Sequence, residues 1–303
     1  MTGIRDIQYV RFAVPDVDMQ QKFLEDFGFL VTREGDKLFA RGTDPTEFVY
    51  SAEPGEAKFL GMGFEAESLT DLERIAAIDG VDVTKRDGAS GGQIATLQDP
   101  DGYTLDIVFG MSAPEPLPIS SRSAFNTGET RARLGSRAEF DRQAYPVKRL
   151  GHCVLGVSDL KASQSWYAER LGLIVSDEVF VGDEANTIGA FMRCNRGEEF
   201  VDHHTLFLLG GPAAEFNHAA FEIADWDSLM EGHYELKQAG YKHSWGVGKH
   251  LLGSQVFDYW RDPHGFLLEH FTDGDLLNES FGSHKAPIDK LLGSFWGPEG
   301  GPT

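Results

Sequence analysis

The sequence is poor in cysteine and lacks long apolar runs. Its 303 residues contain only Cys153 and Cys194, too few for a framework of disulfide bonds, so we expect a reducing compartment such as the cytoplasm. We expect no membrane span and no signal peptide, because no apolar stretch has the length or the flanks of either.

Basic residues are also scarce. The chain has 27 Lys and Arg against 48 Asp and Glu, which gives a formal net charge of -21. Proteins that bind nucleic acid or anionic membrane surfaces need a basic footprint, so this composition argues against both kinds of partner. The charged and apolar fractions are those of a globular protein, and the length suits two domains.

Three segments of the first half recur in the same order in the second half. The pairs are 9–16 with 152–159, 59–65 with 216–222, and 97–106 with 260–269. Each of the first two segments reads as a strand that leads into a helix, and the third reads as a turn between two strands. The sequence therefore predicts a duplicated α+β chain in which each half repeats a strand–helix–strands unit twice.

An overlay of the halves isolates three residues of the second copy. It places His152 opposite Tyr9, His218 opposite Gly61, and Glu269 opposite Asp106. A packing role would have kept similar residues in both copies, so the asymmetry predicts a site in residues 149–272. Two imidazoles and one carboxylate from three strands can form a facial triad with open positions, which suits Fe(II), or Mn(II), in O2 chemistry.

The same comparison suggests how the chain is divided. We expect a degenerate, non-catalytic domain at 1–110, a linker at 111–148, a catalytic metal-binding domain at 149–272, and a tail at 273–303. The linker contains a Pro- and Ser-rich stretch and a polar, Arg-rich stretch at 128–142, and the tail carries a short amphipathic piece at 288–292.

Strand alternation predicts which neighbours of the three residues are excluded from the site. Successive side chains point to opposite faces, so we expect Cys153 to face away from His152, Asn217 from His218, and His270 from Glu269.

Two adjacent histidines precede an apolar stretch at 206–209. Alternation lets only one of them face the interior, and His204 shares its face with Leu206 and Leu208. An imidazole on an apolar face is suited to moving a proton, because its pKa lies near neutrality and burial adjusts it. The alternative interpretation is that His203 and His204 cap the edge of a strand.

Residues 248–270 combine a polar loop residue, His250, with a hairpin. The run from Gln255 to Trp260 is β-prone, and Asp262-Pro263-His264-Gly265 is a turn sequence before a second apolar run. That second run contains Glu269 between apolar residues, where a carboxylate is costly to bury unless it meets a cation.

These residues resemble a known signature. In type I extradiol ring-cleaving dioxygenases, which belong to the vicinal oxygen chelate superfamily, Gly-x-His is followed by an apolar residue and Tyr, then by Asp-Pro-x-Gly and Glu at fixed spacings. Here the pattern reads Gly248-Lys249-His250, Asp258-Tyr259, Asp262-Pro263-His264-Gly265 and Glu269. One position departs from the pattern, since Asp258 stands where the family has an apolar residue. The resemblance covers nearly the whole chain, because those enzymes also have a degenerate N-terminal copy.

The resemblance implies roles for six residues. His152, His218 and Glu269 would bind the iron, His204 would be the acid–base residue, and His250 and Tyr259 would lie near the substrate oxygens. It also implies the vicinal oxygen chelate fold of four βαβββ units, O2-dependent cleavage of a mono- or bicyclic catechol to a muconic semialdehyde-type product, and a homo-oligomer.

Two other classes of function stay open for this fold. Metal lyases and isomerases of the glyoxalase or epimerase kind commonly draw ligands from both halves, which Tyr9, Gly61 and Asp106 argue against. A ligand-sequestering module would lack a metal site altogether, which the intact triad argues against.

Overall fold

The structure is a computed structural model that describes residues 3–119, 124–138 and 146–303. The proposed linker and its Arg-rich stretch therefore include residues, 120–123 and 139–145, that lie outside the described ranges. None of the helices in the described ranges is long and apolar enough to cross a bilayer.

The first half consists of two strand–helix–strands units. The first unit comprises β1 (Ile4–Val14), α1 (Val17–Asp26), β2 (Leu30–Glu34), β3 (Lys37–Arg41) and β4 (Tyr50–Pro54). The second comprises β5 (Lys58–Ala66), α2 (Leu69–Asp79), β6 (Thr84–Lys85), β7 (Gln93–Gln98) and β8 (Thr104–Phe109).

The second half repeats both units and adds an extra two-residue strand. Its elements are β9 (Val147–Val157), α3 (Leu160–Leu171), β10 (Ile174–Phe180), β11 (Thr187–Arg193), β12 (Val201–Asp202), β13 (Leu206–Gly210), β14 (Glu215–Ile223), α4 (Trp226–Gln238), β15 (Lys242–His250), β16 (Val256–Arg261) and β17 (Leu267–Thr272). The tail contains β18 (Leu276–Leu277), a 3-10 turn (Glu279–Phe281), β19 (His284–Pro287), α5 (Ile288–Leu292) and β20 (Ser294–Trp296).

The strand order confirms the duplication. The first sheet runs β2-β3-β4-β1-β5-β8-β7-β6, and the second runs β10-β11-β13-β9-β14-β17-β16-β15, with the tail strands β19 and β20 added at its two edges. Each sheet has an antiparallel pair at its centre, β1 with β5 and β9 with β14, and a parallel pair on either side of it. The predicted α+β architecture of four βαβββ units is therefore the architecture of the chain.

The four long helices begin where the sequence provides a capping side chain. Asp16, Ser68, Asp159 and Asp225 each accept a hydrogen bond from the backbone N–H three residues further on. This satisfies one of the free N–H groups at the start of each helix and stabilises it by about 1 kcal/mol.

The two halves share one aromatic core. The ring of Phe12 in β1 lies 4.6 Å from that of Phe266 and 5.2 Å from that of Phe216, both in the second half. Phe59 stacks on Phe216 at 4.6 Å between ring centroids. His270 faces away from Glu269, as alternation predicts, and contacts the backbone oxygen of Phe27 in the first half at 2.8 Å. The second half is therefore built against the first.

Replacing Phe12 with alanine should destabilise the whole chain. Phe12 is fully buried and contacts rings of both halves, so the cavity should lower the free energy of unfolding by about 3–5 kcal/mol. Urea denaturation followed by tryptophan fluorescence measures this change. Phe200→Ala is the matched control, because Phe200 is exposed and its loss should cost less than about 0.5 kcal/mol. Equal effects of the two substitutions would contradict a shared core.

Candidate active site

Three adjacent strands bring His152, His218 and Glu269 together. They lie on β9, β14 and β17, which are neighbours in the second sheet. Nε2 of His152 is 3.4 Å from Oε2 of Glu269, and Nε2 of His218 is 3.3 Å from the same oxygen. Ligands bound at about 2.1 Å to one metal ion lie about 3.0–3.4 Å apart, so the spacing fits a shared cation.

The side chain of Glu269 is fully buried, yet both of its carboxylate oxygens have no hydrogen-bond partner in the described part of the chain. Nε2 of His218 is likewise buried and unpartnered. Buried polar atoms are paired in almost all native proteins, and a buried carboxylate needs a compensating cation. The three residues thus have the donor atoms, the charge and the free lone pairs that a divalent metal requires.

The charge of its neighbours governs the ionisation of buried Glu269. Burial raises the pKa of this carboxyl, whereas hydrogen bonds and positive charge from His152 and His218 lower it below its usual range, and a cation between the three residues would act in the same direction. Burial lowers the pKa of His218, which favours its neutral form. An anionic carboxylate and neutral imidazoles are the protonation states in which these side chains bind metals.

One prediction from strand alternation is wrong. Asn217 does not point away from His218, because β14 has a register irregularity between Phe216 and His218 that interrupts the alternation. Oδ1 of Asn217 lies 2.8 Å from Nδ1 of His218 and accepts a hydrogen bond from its N–H. This hydrogen bond leaves the lone pair of His218 on Nε2, the nitrogen that faces Glu269.

His250 and Tyr259 meet beside the triad. They lie on β15 and β16, and Nε2 of His250 is 3.2 Å from the hydroxyl of Tyr259. Tyr259 is opposite Glu269 in the register of β16 and β17, and Nε2 of His250 is 3.9 Å from Oε1 of Glu269. Burial lowers the pKa of His250 to about 4, and burial together with Glu269 raises the pKa of Tyr259 well above its usual value.

His203 and His204 are both buried, so they do not cap an exposed strand edge. The ring of His204 lies 4.0 Å from that of His152, and its Nδ1 is 3.1 Å from Nδ1 of His203. The other ring nitrogen of His203, Nε2, lies 2.7 Å from Oδ2 of Asp177 on β10. No sequence pattern predicted the contact with Asp177, because it joins residues 26 positions apart.

These side chains surround a cavity of about 230 Å³. The triad residues His152 and His218 lie on its wall together with His204, His250 and Tyr259. Most of the remaining wall is apolar and comes from Val154, Phe191, Phe207, Leu209, Trp245, Leu252 and the tail residues Leu291, Leu292 and Pro302. The tail reaches this wall because its strand β20 pairs with β15. A small, largely apolar molecule could therefore lie beside the triad.

The chain is similar to known proteins along most of its length. Residues 149–270, which include the triad, match the profile of the Glyoxalase/Bleomycin resistance protein/Dioxygenase superfamily. Metapyrocatechase 2 of Cupriavidus necator is 28% identical over 279 residues, which cover 91% of this chain and 83% of that protein. Biphenyl-2,3-diol 1,2-dioxygenase of Pseudomonas sp. strain KKS102 is 27% identical over 283 residues and covers 88% of each.

A solved structure extends the likeness of fold to the whole chain. The Mn(II)-bound glyoxalase of Novosphingobium aromaticivorans superposes with a TM-score of 0.81 at 20% identity, over 99% of this chain and 93% of that one. Such a likeness concerns the fold alone, whereas the two sequence relatives match along most of their length. Residues 149–270 thus resemble the Glyoxalase/Bleomycin resistance protein/Dioxygenase superfamily, and the two relatives that match along most of the chain are a metapyrocatechase and a biphenyl-2,3-diol 1,2-dioxygenase.

Proposed function

We propose that the chain is an extradiol catechol dioxygenase with Fe(II) at His152, His218 and Glu269. It would cleave the ring of a mono- or bicyclic catechol beside its two hydroxyl groups. One ring C–C bond breaks, both atoms of O2 enter the muconic semialdehyde-type product, and no other reductant is consumed. Homo-oligomer formation and the division into domains at 1–110 and 149–272 remain proposals.

The observation that carries the proposal is the unpartnered triad on the wall of an apolar cavity. Glu269 and His218 present free buried lone pairs, and His204, His250 and Tyr259 lie around the same space. When bound, Fe(II) supplies open coordination positions and a route for electrons from the catechol to O2. The apolar wall excludes water and favours a ring with an apolar substituent.

Hydrogen bonds define the form of His204 that faces the substrate. A carboxylate only accepts, so Asp177 accepts a hydrogen bond from Nε2–H of His203, and a His203 ring with that one proton offers the lone pair of Nδ1. His204 must donate its Nδ1–H to that lone pair, which leaves its own lone pair on Nε2. Burial, together with four neighbouring imidazoles, lowers the pKa of His204 well below its usual value, so the ring is neutral. It can therefore take a proton from a catechol hydroxyl and return it to oxygen when the O–O bond breaks.

His250 and Tyr259 would orient the substrate oxygens. Burial keeps the Tyr259 hydroxyl protonated, so it can donate a hydrogen bond, and His250 holds it from the side at 3.2 Å. Donors fixed in position before the reaction stabilise negative charge on oxygen better than mobile water does.

The glyoxalase-like alternative is less well supported. Asp106, which lies opposite Glu269, already receives hydrogen bonds from Tyr9 at 3.1 Å and Thr96 at 2.9 Å and pairs with Arg11. In the described residues, both clusters of three potential metal ligands lie in the second half of the chain. The described residues of the first half therefore do not include a cluster of the kind that would contribute ligands to a site shared by both halves.

The first test is metal content together with O2 uptake. Protein purified under argon should contain iron that Glu269→Gln lacks, and it should consume about one O2 per catechol with formation of a yellow product. Zinc or nickel without O2 uptake would favour a lyase or isomerase. Metal-free wild-type protein that still binds catechols would point to a sequestering module.

Replacing His204 with asparagine should impair turnover without removing iron. His204 is not one of the three converging ligands, and loss of a general acid–base group typically lowers kcat by about 10²–10⁴-fold. Steady-state O2 uptake and iron analysis of the same sample measure both quantities. His284→Asn, at an exposed histidine, is the control and should behave like the wild type. Normal turnover of the His204 variant would remove it from this role.

Replacing Asp177 with asparagine should also lower kcat, because the amide can donate to His203 and reverse the direction of both hydrogen bonds. We expect a loss of about 10- to 100-fold in kcat, a small change in KM and unchanged iron. Glu178→Gln is the control, since Glu178 lies on the same strand and pairs with Lys285 instead. If both variants kept the wild-type kcat and pH profile, Asp177 would have no positioning role.

A further inference from the structure

A second convergent cluster lies around Asp258, the residue that departs from the dioxygenase signature. Asp258 precedes Tyr259 on β16 and points away from the cavity, towards helix α4. Its side chain is fully buried. In the overlay of the two halves it falls opposite Ala95, a buried apolar residue. The duplication therefore identifies this carboxylate as an addition to the second copy rather than a requirement of the fold.

Two imidazoles from different elements converge on this carboxylate. Nε2 of His243, on β15, is 2.8 Å from Oδ1 of Asp258, and Nδ1 of His233, on α4, is 3.1 Å from Oδ1 and 3.2 Å from Oδ2. The two rings are nearly perpendicular, with centroids 5.0 Å apart. Each residue offers one ligand atom, and these atoms lie within 4.8 Å of one another. Ligands at about 2.0–2.1 Å from one ion are separated by about 2.9–3.4 Å, so small movements would admit a cation.

The surroundings of the cluster resemble the outer shell of a metal site. The indole N–H of Trp260 donates to Oδ2 of Asp258 at 2.6 Å, which fixes the orientation of the carboxylate, and Oδ1 has the shortest contact with an imidazole. Three ring nitrogens therefore surround this one buried carboxylate. The side chain of His243 is 31% exposed, which gives solvent and an ion access from one side.

We propose that His233, His243 and Asp258 form a second metal site for a divalent cation of the zinc type. Imidazole and carboxylate ligands suit such a cation, and a water molecule could complete four-coordination on the open side. The ion would join α4 to the hairpin of β15 and β16, the same hairpin that carries His250 and Tyr259. The site would be structural, because none of its three ligands lies on the wall of the cavity and Asp258 points away from it. It does not depend on the proposed ring cleavage.

The test is a Zn(II) and Co(II) titration of Glu269→Gln protein, in which the first site has lost its carboxylate. After removal of metal with a chelator, this variant should still bind about one Zn(II) per chain, and Co(II) should give visible absorption. Adding His243→Gln should weaken binding by at least about 100-fold, since loss of an outer-shell partner alone costs about 10- to 100-fold.

The control adds His284→Gln, an exposed histidine, to the same Glu269→Gln background and should leave Zn(II) binding unchanged. His233→Gln removes the helix ligand and serves if the His243 variant does not fold, which circular dichroism reports. Equal binding in the His243 and His284 variants, or no Zn(II) bound to Glu269→Gln protein, would show a hydrogen-bonded cluster only and overturn the proposal. Because O2 uptake is not measured, failure of the proposed ring cleavage would leave this result unaffected.

Discussion

The second half of the chain is organised around the free energy of one buried charge. Glu269 lies between leucine and histidine in a strand that is buried along its length, and no backbone or side-chain donor satisfies its oxygens in the described residues. Left alone, such a carboxylate would be protonated or would destabilise the fold by several kcal/mol. His218 on the adjacent strand and His152 on the next one face it, and a cation shared by the three would remove the penalty.

In the first half, the carboxylate opposite Glu269 is satisfied by protein groups alone. Asp106 occupies the place of Glu269, but Tyr9, Thr96 and Arg11 satisfy its oxygens directly. The order of the strands in the sheet is the same in both halves. A few side chains therefore decide whether this scaffold holds an ion or a closed hydrogen-bond network.

Much of the fold was predictable because it follows from local rules and repetition. The spacing of turn residues predicts the turn at Asp262–Gly265, and the repeated segments predict the duplicated units. Together they place the three candidate ligands on adjacent strands. The rest depends on contacts that no local rule encodes. The position of Asn217 depends on an irregularity in β14. The pairing of His203 with Asp177 depends on how β10 packs against the segment between β12 and β13, which carries His203. In the sequence, Asp258 is only a departure from the dioxygenase pattern. Its contacts with His233 and His243 could not be predicted, because these residues lie on separate elements.

The shared aromatic core has a consequence for how such a duplicated gene can evolve. The first copy lacks the three candidate ligands, but its aromatic side chains cover Phe216, Phe221 and Phe266 of the second copy. A second half made without it would present these rings to water as a continuous apolar patch, which favours aggregation. The first half therefore acts as a built-in folding partner of the second. Its surface against the second half is constrained in the way that an obligate subunit interface is constrained.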